Sequence, residues 1–259
     1  MLIRLLLVLT LAFVSSPVAT AQNDVTSSPS AITVTKPMPF GVGERLEYVA
    51  KVGPMHVGRG SMETLGVEDV RGRSAMHTRF TLNGRWFFYR ANYLLESWID
   101  QPTFTSLRFT QDSDEDPTEK DRVYEIFPDR KMYSVNDGEE QPSVDDPLDE
   151  GALLYYVRTM DLEVGKTYTL NRYFRPDRNP VIVKVLRRET VHLPAGQFST
   201  IVIQPIIKSR GIFSEGGQAQ IWLSDDADRL MVQMRVKLKV ATISLQLTSY
   251  RPATTPPGQ

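Results

Sequence analysis

Apolar and polar residues alternate along most of the chain with a period of two, which puts every second side chain on one face of a β-strand. The clearest stretch is near the end. Leu230, Val232, Met234, Val236, Leu238 and Val240 alternate with Gln233, Arg235, Lys237 and Lys239, and Ile243, Leu245 and Leu247 then alternate with Ser244, Gln246 and Thr248. That pattern predicts an antiparallel hairpin with one wet and one buried face. Leu46, Tyr48, Ala50 and Val52 repeat it, and strands are expected at about 56–65, 73–82, 86–99, 104–111, 121–127, 130–135, 166–175, 180–191, 197–209 and 217–223. Asn83-Gly84, Asn136-Asp137-Gly138, Pro194-Ala195-Gly196 and Asp225-Asp226 supply turn chemistry between them. About a dozen strands in serial order predict an all-β, mainly antiparallel fold, a meander sheet curled into a barrel or half-barrel.

One segment breaks the alternation. Residues 147–160 carry Leu148, Ala152, Tyr155, Tyr156 and Met160 close to one helical face. Asp146 is the expected N-cap, Pro147 suits the first turn, and Asp149 and Glu150 favour the positive end of the helix dipole. Gly165 restarts the strands. A single helix thus joins two β-rich halves, about 38–140 and 165–251, and packs on or into the sheet.

The first residues have a different pattern. Arg4, the apolar run Leu5 to Val14 and the small-x-small step Ala19-Thr20-Ala21 have the three parts of a cleavable secretory signal over residues 1–21. The apolar core is shorter than the roughly twenty residues that a bilayer span needs. Residues 22–37, rich in Ser, Thr and Pro, predict a flexible leader, and residues 252–259 a disordered tail, leaving 38–251 as one β-barrel-like domain. There is no cysteine, so neither a lipid-anchored N-terminus nor a disulfide is available. The mature chain is therefore expected to be soluble in the periplasm, with no transmembrane segment. Taking Arg4 away from a net charge of −1 leaves about −2, with no concentrated basic surface, which argues against nucleic acid.

Candidate chemistry is sparse. His56, His77 and His192 are far apart and lack ligand spacing, and no Gly-x-Ser-x-Gly turn is present. Asp112 to Asp116 resembles the start of a calcium loop, but Pro117 and Val123 stand where glycine and glutamate are needed. It reads instead as a solvated hairpin tip. Glu96, on an aromatic strand, is expected to pair with an arginine such as Arg90 or Arg108. No catalytic residue, metal ligand or cofactor is predicted. Aromatic residues stand out: Trp86-Phe87-Phe88-Tyr89, Tyr93 and Trp98 are expected along one long strand. Phe88, Tyr93, Trp98, Phe109, Tyr155, Tyr156, Trp222 and Met234 are the candidates to line an adaptable apolar pocket.

The order of short motifs resembles a known family. Phe40-Gly41-Val42-Gly43-Glu44 is followed by Gly58-Arg59-Gly60, Glu96-Ser97-Trp98-Ile99-Asp100, Leu153 to Arg158, Pro194-Ala195-Gly196-Gln197-Phe198 and Ile221 to Asp226. This resembles the exported Gram-negative proteins called domain of unknown function 3108 over about 40–250. That resemblance implies no catalytic residues. In overall style it is also similar to periplasmic lipoprotein carriers of the LolA and LolB type, which implies a curved sheet over an apolar cavity. Three functions follow as expectations: a periplasmic binding protein for an apolar or lipid-like ligand in envelope maintenance, an envelope scaffold that works through protein contacts, or a glycan-acting enzyme with a hidden acid pair.

Overall fold

The computed structural model describes residues 38–86, 89–113, 121–208, 213, 219–237 and 242–254. The first half supplies β1 (Arg45–Val52), β2 (Met55–Val70), β3 (Arg73–Trp86), β4 (Tyr89–Asp100), β5 (Thr105–Ser113), β6 (Arg122–Phe127), β7 (Met132–Val135) and the two-residue β8 (Gln141–Pro142). Helix α1 (Glu150–Thr159) follows. The second half supplies β9 (Thr167–Leu170), β10 (Val181–Leu193), β11 (Gly196–Ile206), β12 (Gln220–Ser224), β13 (Met231–Lys237) and β14 (Thr242–Arg251).

These strands form one antiparallel sheet of 14, in the order β8-β7-β6-β5-β4-β3-β2-β1-β14-β13-β12-β11-β10-β9. Each half is a meander, as the alternation predicts. The halves are zipped together by the first and last strands, from Arg45 opposite Arg251 to Val52 opposite Ile243. The sheet is not closed. Its two edges, β8 and β9, are the strands that flank α1 along the chain.

Curvature has local causes. The ladders shift register between Thr64 and Gly66, Trp98 and Ile99, Val185 and Arg187, and Trp222 and Leu223, each an extra residue that bends and twists its strand. At Gly58 the bend brings two backbones together: an added Cβ would lie 2.2 Å from the Asn83 carbonyl oxygen and 2.6 Å from Gly84 Cα. Asn83-Gly84 is therefore not a turn. It lies inside β3, where its glycine allows the close approach.

Two further expectations shift. The aromatic run is not one strand: Trp86 pairs with Tyr89 across a hairpin, and Phe87 and Phe88 lie outside the described residues. The helix starts three residues later than its local signals indicate. Asp149 is the N-cap, its side chain accepting from the Ala152 N–H, while Asp146 takes a left-handed φ of 47°. A left-handed residue cannot adopt the extended backbone of an N-cap.

One apolar cluster runs through the structure, from Leu46, Tyr48 and Met62 through α1 to Ile203, Ile221, Met234 and Leu247. A small second cluster, Val70, Ala75, Trp98 and Leu107, is separate from it.

Candidate functional site

The interruption of the ladder beside α1 is the feature from which a site can be built. Helix α1 packs on β3, β4 and β5 and is pinned at both ends. At its start, Asp149 accepts from Ser97 Oγ and Ser106 Oγ, each at 2.6 Å, and Ser106 Oγ accepts the Asp149 N–H in return. Burial pushes this carboxyl up to about 6, against the downward pull of the two serines and the first helical N–H groups. Gly151 has no room for a side chain, because a Cβ would lie 2.4 Å from Ser97 Oγ. At the other end, the Arg158 guanidinium holds both oxygens of Glu44, at 2.6 and 2.8 Å. It also donates to the carbonyls of Pro39 and Asp228. Both members of this pair are essentially inaccessible. The helix is thus a fixed part of the core.

The predicted pocket residues divide into groups. Tyr93, Phe109, Tyr155 and Met234 are buried in the main cluster, but as packing partners. Phe109 stacks on Tyr124 at 5.7 Å and meets Phe174 edge-on, while Tyr155 meets Phe40 edge-on at 4.9 Å. Trp222 is also in that cluster, whereas Trp98 belongs to the small second cluster. Trp98 follows Ser97, whose side chain faces α1, so its own ring is on the opposite face, stacked on His77 at 4.2 Å. Its indole N–H donates to Glu68 at 2.7 Å, and Arg108 covers it. Trp222 is 1% exposed and donates to Glu189 at 2.6 Å, with the Arg187 and Arg235 guanidinium groups 5.7 and 5.1 Å from its ring. Phe88 is outside the described residues.

Tyr156 is the eighth candidate and stands apart. It is half-buried, touches Phe104 and is covered by Arg172 at 4.7 Å. One turn on, Met160 is also half-buried, as are Tyr168 and Leu170 on β9, and all four pack on the main cluster. Tyr168 ties the two sides together by donating to the Asp161 carbonyl. Beyond Leu170, Arg172 and Phe174 make backbone bonds to Leu148, and Ser143 Oγ donates to the Phe174 carbonyl. Among the described residues the seam is therefore bridged at one end and open along β9, with an apolar rim, Arg172 over Tyr156 and the Lys166–Glu163 ion pair beside it. Sequence reasoning passed over Met160, Tyr168 and Leu170 because their incomplete burial depends on a missing neighbour strand, which periodicity cannot register.

The titratable groups are engaged in structure. His77 lies between Glu68 and Glu96, Glu96 takes Arg79, and Arg108 pairs with Glu125, while the Arg90 side chain lies outside the described residues. Asp226 caps the β12–β13 turn through the N–H groups of Asp228 and Arg229. Among the described residues no group of three His, Cys, Asp or Glu side chains could hold a metal ion, and no helix is long and apolar enough to cross a membrane.

The chain belongs to the family described as "Protein of unknown function (DUF3108)", which matches residues 47–248. A β-barrel-like protein of domain of unknown function DUF1849 from Brucella abortus is similar in structure, with a TM-score of 0.50 and 12% identity over 82% of this chain and 98% of that one. A Bacteroides fragilis protein of YmcC-like fold covers 83% of this chain and 98% of its own, with a TM-score of 0.36 and 11% identity. The first likeness supports the β-barrel-like fold. No curated protein matches the sequence.

Proposed function

We propose that this DUF3108 protein is an exported, periplasmic binding protein that holds an apolar, lipid-like ligand against the open seam beside α1. One observation carries the reading: Tyr156, Met160, Tyr168 and Leu170 are left half-buried on a continuous core where the ladder is interrupted. An acyl chain laid on that rim would gain about 0.8 kcal/mol for each buried CH₂. A long chain then outweighs the several kcal/mol lost on immobilisation, roughly 4–15 kcal/mol. Arg172, which lies over Tyr156, would meet an anionic head group, whereas Lys166 is already paired with Glu163. Export is supported by the signal pattern of residues 1–21. Binding rather than catalysis is supported by the engagement of His77, Glu96 and Asp149 in fixed hydrogen bonds.

The test is titration of the chain lacking residues 1–21 with a fluorescent polyene fatty acid. Saturable binding is expected, weakened about tenfold or more by Leu170→Asp, which is about 1.4 kcal/mol. Because Leu170 also packs on the main cluster, Leu170→Asp is expected to lower the unfolding midpoint, and the titration is run well below the midpoint of the variant. A fatty acid that does not bind, or binds Leu170→Asp equally well, contradicts the reading.

A further inference from the structure

The two halves of the sheet share irregularities that a common fold type does not require. Val42-Gly43 before β1 and Val164-Gly165 before β9 each place glycine at φ 86°. Gly43 donates its N–H to the Thr64 carbonyl and Gly165 to the Val185 carbonyl, both at 2.9 Å, and the return bonds run from Thr64 to Glu44 and from Val185 to Lys166. Directly after Thr64 and after Val185 one residue is bulged out, Leu65 in one half and Leu186 in the other. Three residues past each bulge comes a glutamate, Glu68 or Glu189, that accepts the indole N–H of a tryptophan two strands away. Each tryptophan is followed at once by a register shift. The next turn ends on a left-handed residue, Phe104 or Arg229. Phe109 opposite Tyr124 then corresponds to Met234 opposite Leu245. So β1 to β6 correspond to β9 to β14.

That correspondence gives the seam a form. The outer edge of β1 is filled by β14, the last strand of the other half, and Leu46 and Tyr48 are 0% and 2% exposed as a result. The equivalent edge of β9 would belong to β6, but β6 pairs with β7 instead. Among the described residues β9 pairs only with β10, and Tyr168 and Leu170, the counterparts of Leu46 and Tyr48, remain half-exposed. Counting the ladder from the Val185 bridge, Tyr168 and Leu170 turn their backbone groups to β10, so Thr167 and Thr169 direct theirs to the open side. The opposite edge, β8, contains Pro142, which cannot donate to an added strand. Among the described residues β9, Thr167–Leu170, carries no proline.

We infer that the chain is a tandem duplicate of a six-strand unit, opened at one of its two seams by the β7–β8–α1 segment, and that the bare edge of β9 takes an extended polypeptide strand. This rests on the open seam being the binding site and goes beyond the lipid-like ligand: the strand uses the Thr167 and Thr169 backbone groups and competes with that ligand for Tyr168 and Leu170. The strand runs antiparallel to β9, as β14 does to β1, and places apolar side chains at alternate positions over Tyr168 and Leu170. The counterpart contact exists at the zipped seam, where Leu247 lies opposite Tyr48.

A labelled ten-residue peptide with the sequence Thr242–Arg251 is the probe, titrated into the chain lacking residues 1–21 and followed by fluorescence anisotropy. Saturable binding is expected, weakened about tenfold or more by Thr169→Pro and unchanged by Thr169→Ala, with both variants keeping the parent unfolding midpoint. Equal affinity for Thr169→Pro overturns the inference. So does a concentration-dependent dimer that Thr169→Pro abolishes, which would make a second copy the occupant. If the fatty acid binds at Leu170 and the peptide does not, the polypeptide assignment fails and the seam reading stands. If neither binds, both fail.

Discussion

Arg158→Met is expected to destabilise the fold by about 3–5 kcal/mol, because it leaves the Glu44 carboxylate buried without a partner. Arg158 ties three separate pieces of chain together: the segment before β1 through Glu44 and Pro39, the end of α1 from which it projects, and the β12–β13 turn through the Asp228 carbonyl. Its guanidinium also lies over the Phe40 ring at 4.9 Å, so a flexible apolar side chain can fill part of the space. Replacing both partners, as in Arg158→Met with Glu44→Leu, should recover most of the loss, since an apolar pair of similar volume has no charge to desolvate. Urea unfolding of the two single variants and the double variant decides the point. A double variant as unstable as the sum of the singles would show that the carbonyl contacts, not the charge pair, dominate.

The second large effect concerns backbone. Gly58→Ala is expected to cost roughly 3 kcal/mol, the upper end of the range for overpacking, because the added Cβ meets the Asn83 carbonyl and Gly84 Cα rather than a movable side chain. Gly66→Ala is the control. It lies on the same strand, has nothing within 4 Å of its added Cβ, and should be neutral or slightly stabilising. The comparison is read from thermal unfolding. Equal midpoints for the two variants would mean that the bend between β2 and β3 does not depend on that close approach.

The strands were legible because most are wet on one face, so their alternation survives in sequence, and Asn136-Asp137-Gly138 turns as its composition indicates, with Asn136 and Asp137 both left-handed. What failed did so where a long-range contact overrides a local signal. Asp146-Pro147 looks like a helix start, yet Asp149 caps because Ser97 and Ser106 are there to hold it. Asn83-Gly84 looks like a turn, yet its glycine answers Gly58 on the neighbouring strand. Trp98 stacks on His77, donates to Glu68 and is covered by Arg108, partners that composition does not reveal. The pairing of β1 with β14 joins opposite ends of the described chain, and the correspondence of the halves is kept in bulges, glycine conformations and two glutamate–tryptophan bonds rather than in residue identities.

One seam of this sheet, between β1 and β14, is zipped, and the other, along β9, is open. Amide hydrogen exchange at four equivalent positions tests this most directly. Arg45 and Glu47 pair with β14 and should exchange slowly, whereas Thr167 and Thr169 direct their N–H groups to the open side and should exchange fast. Protection of Thr167 and Thr169 equal to that of Arg45 and Glu47, in the free monomeric chain, would mean that the second seam is closed and would contradict the account.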